Sequence, residues 1–169
     1  PPAQPTDLTA MHTSIDTAFY GASQLFLLPV LLCIAALFAY AFFALGACLV
    51  QALQRHRGHS AGFELQQARA AQPALDTDAL ELLALRRLEF VRISTRVAPM
   101  LGLVATMIPM GPALKALADG QISEVSRGLT MAFSAVILAL VAAAITYAIA
   151  QVRRRWYASE LQALRAVLV

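Results

Sequence analysis

Residues Leu25–Val50 read LFLLPVLLCIAALFAYAFFALGACLV, a run without Asp, Glu, Lys, Arg or His. The hydrocarbon core of a bilayer is about 30 Å thick and takes roughly 20 apolar residues of helix to cross. This run is longer than that. Two other stretches are also free of charge and match or exceed the roughly 18 to 20 residues of a span, since no charged residue lies between Arg96 and Lys115 or between Arg127 and Arg153. The expected fold is therefore an all-α membrane protein with three transmembrane helices. The composition agrees: of 169 residues 59% are hydrophobic and 14% charged, against about a quarter charged in an ordinary soluble domain.

The placement of charge orients the spans. Of the 13 Lys and Arg, seven fall in Arg55–Arg96 and four after Val152, with only Lys115 and Arg127 elsewhere. Basic loops stay on the cytoplasmic side, so the N-terminus is expected outside and the C-terminus in the cytoplasm. The net charge of +3 does not point to nucleic acid, because that reading needs a basic face on a soluble domain.

Residues 1–24 form an expected outer interfacial helix, with Leu8, Met11, Ile15, Ala18 and Phe19 on one face at helical spacing and His12 beside it. The chain opens at Pro1 without a methionine, as a trimmed start would. Span one, 25–50, is large and apolar all round and reads as a lipid-facing anchor. Its Cys33 and Cys48 lie about 22 Å apart along one helix and cannot pair. Residues 51–96 form a cytoplasmic loop and helix. His56 and His59 lack acidic or thiol neighbours at ligand spacing, so they read as a headgroup-facing cluster and no metal is expected. Asp78 with Glu81 matches a capping box. The helix it starts runs into span two, 97–117, for a length of about 58 Å. An outer loop over 118–127 carries Gly120 as helix terminator. Span three covers 128–152, and a cytoplasmic helix covers 153–169, opening with Arg153, Arg154, Arg155, Trp156 and Tyr157.

Small residues recur along two spans. Ala98, Gly102, Thr106, Pro109 and Ala113 share one face of span two, beside Pro99. Ala132, Ala135, Ala139, Ala142 and Thr146 share one face of span three. Such stripes let membrane helices approach closely. The expected packing residues are Ala98, Pro99, Gly102, Pro109, Ala135, Ala139 and Ala142. Among polar groups at depth, Thr106, Thr130 and Ser134 are the candidates for lining an ion path. A hydroxyl can equally satisfy itself on the carbonyl four residues back. With no carboxylate in the membrane, either the chain does not conduct or a partner supplies the titrating group. No nucleophile–base pair or carboxylate pair exists at a plausible depth, so neither enzyme activity nor a cofactor is expected.

The segment Ala98-Pro-Met-Leu-Gly-Leu-Val-Ala-Thr106 resembles the A-P-x-x-G-L-x-G-T segment of the second span in the MotA/TolQ/ExbB proton-channel family. Pro99, Gly102, Leu103 and Thr106 match, while Ala105 and Pro109 stand where that pattern has glycine. Gly128–Ala144 is similar to the small-residue-rich third helix of that family. The resemblance implies a bacterial inner-membrane motor subunit. In that arrangement a homopentamer surrounds a single-span partner of the ExbD/TolR/MotB kind, and an Asp on the partner takes up the proton. It also implies a pore-facing role for Thr106. The family's third-helix threonine falls at Val136, near Ser134, and its glutamate near the start of that helix falls at Met131. These departures leave open an alternative, a scaffold subunit of the same architecture that does not conduct. The remaining expected partners are membrane lipids.

Overall fold

The computed structural model describes residues 5–57, 62–72 and 77–166. Four helices follow one another: α1 (Pro5–His56), α2 (Glu64–Ala71), α3 (Thr77–Ala118) and α4 (Ile122–Ala166). Among the described residues there is no strand. Helices α1, α3 and α4 each hold a stretch long and apolar enough to cross a membrane. The 42 residues of α3 give a length of about 63 Å measured along the helix, twice the thickness of the hydrocarbon core.

The structure departs from the expected layout in four places. Helix α1 runs unbroken from Pro5 to His56, with no joint between an outer helix and span one. Pro29 lies inside it, removing one hydrogen-bond donor without ending the helix. The side chains of the stripe from Leu8 to Phe19, and those of His12 and His59, lie outside the described residues. A short helix, α2, occupies part of the polar stretch after Arg57. Asp78 stands inside the first turn of α3, where its charge complements the helix dipole but does not cap. The link expected over 118–127 is shorter, because α3 continues to Ala118 and α4 resumes at Ile122.

That link is a Schellman turn. The Gln121 N–H donates to the Ala116 carbonyl at 2.8 Å and the Gly120 N–H to the Leu117 carbonyl at 3.1 Å. Gly120 has φ 71°, the left-handed conformation that glycine adopts without steric cost.

The chain divides into two compact units, residues 1–36 with 100–139 and residues 37–99 with 140–169. The core of the first unit is Ile34, Ala105, Ala135 and Ala139, with Val30, Leu31 and Leu101 packed against it. The core of the second is layered. One layer is Ala41, Ala98, Ala142 and Ala143, the next is Ala44, Cys48, Val91 and Ile149, and the last is Leu65, Ala84, Leu88 and Tyr157. The first of these layers is all alanine, and larger side chains take over in the next two. Span one is thus more than an anchor. It exposes Leu25, Phe26, Leu32 and Phe43 but buries Ile34 in the first unit and Ala41, Ala44, Cys48 and Gln51 in the second. Spacings of three and four residues place the buried set on one narrow face. Cys33 is exposed, Cys48 is buried, and both are free thiols.

Candidate functional site

In the first unit the small residues meet at van der Waals distance. A Cβ on Gly102 would lie 2.9 Å from the Ala139 Cβ and 3.3 Å from the Val136 Cγ2. Only glycine allows that approach. Gly102, Ala105, Pro109 and Ala113 of α3 are buried, as are Ala132, Ala135 and Ala139 of α4. In the second unit Ala98, Ala142 and Thr146 are buried and Pro99 is half-buried. Thr146 donates to the carbonyls of Ala142 at 2.8 Å and Ala143 at 3.1 Å.

The three hydroxyls proposed for an ion path sit off this contact. Thr106 is half-buried, one position round α3 from the buried Ala105, while Thr130 and Ser134 lie on an exposed face of α4. Each donates within its own helix: Thr106 to the Leu103 carbonyl at 2.7 Å, Thr130 to the Ser126 carbonyl at 2.8 Å and Ser134 to the Thr130 carbonyl at 2.9 Å. None donates to the hydroxyl of another of the three. With their protons committed, these oxygens offer only lone pairs. Pro109 and Pro112 lack an N–H, so the carbonyls of Ala105 and Ile108 lose their helical donors. These hydroxyls and freed carbonyls can therefore accept hydrogen bonds, but none of them takes up a proton near neutral pH.

The second unit holds a polar cluster built around α2. Three consecutive residues, Phe63, Glu64 and Leu65, tie this short helix to α1, α3 and α4. Leu65 is fully buried, and its N–H donates to Glu160 Oε2 at 2.8 Å. Glu160 is 2% exposed and forms an ion pair with Arg55. The Arg55 guanidinium lies between two aromatic rings, 4.9 Å from the Phe63 centroid and 4.7 Å from that of Trp156. Such stacking suits a weakly hydrated planar cation. Burial works to lower the Arg55 pKa, against the nearby charges of Glu64 and Tyr157.

Glu64 gathers the other half of the cluster. It accepts from Gln51 Nε2 at 3.0 Å and from the Tyr157 hydroxyl at 2.8 Å, and it pairs with Arg87. Burial would raise the Glu64 pKa, but the hydrogen bonds from Tyr157 and Arg87 and the charges of Arg87 and Arg153 outweigh it and hold the carboxyl below its ordinary range. The same arrangement acts on Tyr157, whose hydroxyl is pushed up to about 12, first by burial and then by its hydrogen bond to Glu64. Sequence reasoning missed this cluster. The one visible signal was a pair of isolated acids, Glu64 and Glu160, in strongly basic segments.

The sequence matches the family model of the MotA/TolQ/ExbB proton channel family over residues 44–166. Neither the curated proteins nor the solved structures gave a match. The matched region runs from the buried face of α1 through α2 and α3 to the end of α4 and so takes in the close contact at Gly102, the hydroxyls and the polar cluster. The chain is a multi-pass membrane protein belonging to the MotA/TolQ/ExbB proton channel family.

Proposed function

We propose that this chain is the wall subunit of a proton-driven motor in the bacterial inner membrane. Copies of it, five by the family resemblance, surround a single-span partner of the ExbD/TolR/MotB kind. The partner's intramembrane Asp carries the proton, and proton motive force becomes mechanical work on an envelope process. The N-terminus lies outside and the C-terminus in the cytoplasm. The observation that carries this reading is chemical. Spans two and three contain no ionisable residue from Val97 to Leu114 or from Gly128 to Val152 other than Tyr147, and the hydroxyls of Thr106, Thr130 and Ser134 already spend their protons on their own helices. Such a wall contacts a proton carrier without trapping its charge, and the carrier has to come from another chain.

The test is proton flux in vesicles holding the chain together with a co-purified single-span partner. Flux that depends on the partner's membrane Asp supports the reading, and equal flux from this chain alone refutes it. One observation favours the scaffold alternative. Val136, where the family resemblance has a threonine, is turned toward the Gly102 contact and serves packing. A complex that assembles with its partner and passes no protons would establish that alternative.

A further inference from the structure

Within the second unit a cavity of about 480 Å³ lies along α3 and α4. Three arginines line it, Arg92, Arg96 and Arg154. All three are exposed, and among the described residues none is in an ion pair. Glu89 lines an adjoining groove together with Arg86, Arg92 and Arg96, but it is not part of this cavity, where Arg154 of α4 joins Arg92 and Arg96 and no acid enters the lining. The uncharged polar wall includes Gln151, whose Nε2 donates to the Tyr147 hydroxyl at 3.1 Å. Leu85 and Leu88 supply an apolar lining on the cytoplasmic side of Arg92, and Ala150 supplies one on the membrane side of Arg154.

The depth of these groups narrows the ligand. Arg96 is the last charge before span two, and Arg154 stands just after span three, so both guanidiniums sit at the membrane edge where headgroup phosphates lie. Tyr147, seven residues before Arg154, lies about 10 Å further toward the hydrocarbon. Three like charges facing one space repel unless an anion joins them, and the guanidinium fork matches a phosphate in bidentate fashion. A soluble anion would use the arginines but not the part of the lining that continues from Arg154 into the membrane, Ala150 and Tyr147. We propose that this cavity binds the phosphate of an anionic phospholipid, with the acyl chains running past Tyr147. A zwitterionic lipid would bring its own cation against the three arginines. The site rests on the membrane placement of the helices and not on conduction, so flux measurements and lipid binding fail independently.

Native mass spectrometry of the full chain released from phosphatidylcholine nanodiscs containing phosphatidylglycerol reads both bound lipid and oligomeric mass. Phosphatidylglycerol should be retained over phosphatidylcholine. Arg92→Gln, Arg96→Gln and Arg154→Gln should each cut that preference by about fivefold, as expected for one basic group near an anionic surface. Arg86→Gln, outside the cavity, should leave it unchanged. Gln151→Trp, which fills the space and touches no charge, should also lower retention. Equal retention of both lipids refutes the proposal, as does a preference that survives the three arginine variants. Displacement of the bound lipid by millimolar glycerol phosphate assigns the site to a free phosphate and overturns the lipid source. A change in oligomeric mass with unchanged lipid retention assigns the arginines to a second copy of the chain, and it overturns the proposal as well.

Discussion

Substituting Gly102 by alanine is a sharp test of the close contact in the first unit, because the added methyl has one definite obstacle. Its Cβ would stand 2.9 Å from the Ala139 Cβ, whereas carbon pairs prefer about 3.5–4.0 Å. Ala139 is 0% exposed, and a methyl has no rotamer by which to withdraw, so the backbones must part by roughly 0.6–1 Å. A gap of that size forfeits a quarter to a half of the dispersion well for the neighbouring pairs, and overpacking of this kind costs about 1–3 kcal/mol. Against it stands a gain of about 1 kcal/mol from replacing glycine inside a helix. The net for Gly102→Ala is a loss of up to about 2 kcal/mol. The single change is therefore informative only beside its complement. Ala139→Gly alone should cost about 1 kcal/mol in helix propensity and a similar amount for the lost methyl. Combined, the two substitutions move the methyl from one helix to the other and restore the contact, so the double variant should be more stable than the sum of the singles by about 1–2 kcal/mol. Thermal unfolding of all four proteins in one detergent, followed through Trp156, measures this cycle. Additivity within about 0.5 kcal/mol would refute the argument that Gly102 and Ala139 touch.

Thr106→Val keeps the shape of the side chain and removes its oxygen, so partner-dependent proton flux should fall about tenfold, as for one lost hydrogen bond of about 1.4 kcal/mol, with the oligomer intact on size exclusion; unaltered flux would remove Thr106 from the path. Glu160→Ala leaves the Arg55 charge and the Leu65 N–H without their partner and should destabilise the second unit by about 3–5 kcal/mol, seen as faster amide exchange in α2, whereas Arg55→Met with Glu160→Leu should recover the part due to the unpaired charge and leave the loss at the Leu65 N–H. The depressed pKa of Glu64 means that its contribution is present above the ordinary glutamate value near about 4.3 and is lost as pH falls through the lower folded value; α2 exchange should accelerate there, and Glu64→Gln should abolish that acid dependence. With Tyr157 raised to about 12, the sign reverses, and stability should decline as pH climbs from the ordinary tyrosine value of about 10, an effect that Tyr157→Phe removes. Gly120→Ala forces a Cβ into a left-handed conformation and should cost about 1–2 kcal/mol, read as a lower melting temperature.

The long elements were legible because each rests on a local property. A stretch without charge makes a span, and a glycine after the last apolar turn makes a terminator, as Gly120 does. Ala135, Ala139 and Ala142, which the periodicity puts on one face, are buried, and helical periodicity is a short-range signal. It was less able to separate Ala105 from Thr106, which are adjacent, and it is the buried contact that selects the alanine. The polar cluster was beyond local reasoning altogether. Leu65 and Glu160 are 95 positions apart, and Glu64 and Tyr157 are 93 apart, so nothing in either neighbourhood announces the partner. The same holds for Arg92, Arg96 and Arg154, which look like an ordinary positive margin until α3 and α4 bring them to one cavity.

The Schellman turn at Asp119–Gln121 has a mechanical consequence. Two helical rods joined by three residues, with both hydrogen bonds of the turn made, have no slack at that end. If α3 were pushed along its axis relative to α4 by even one helical rise, the turn would have to open before the rods could slide. Any sliding of one helix past the other at this end therefore costs the two hydrogen bonds of the turn first.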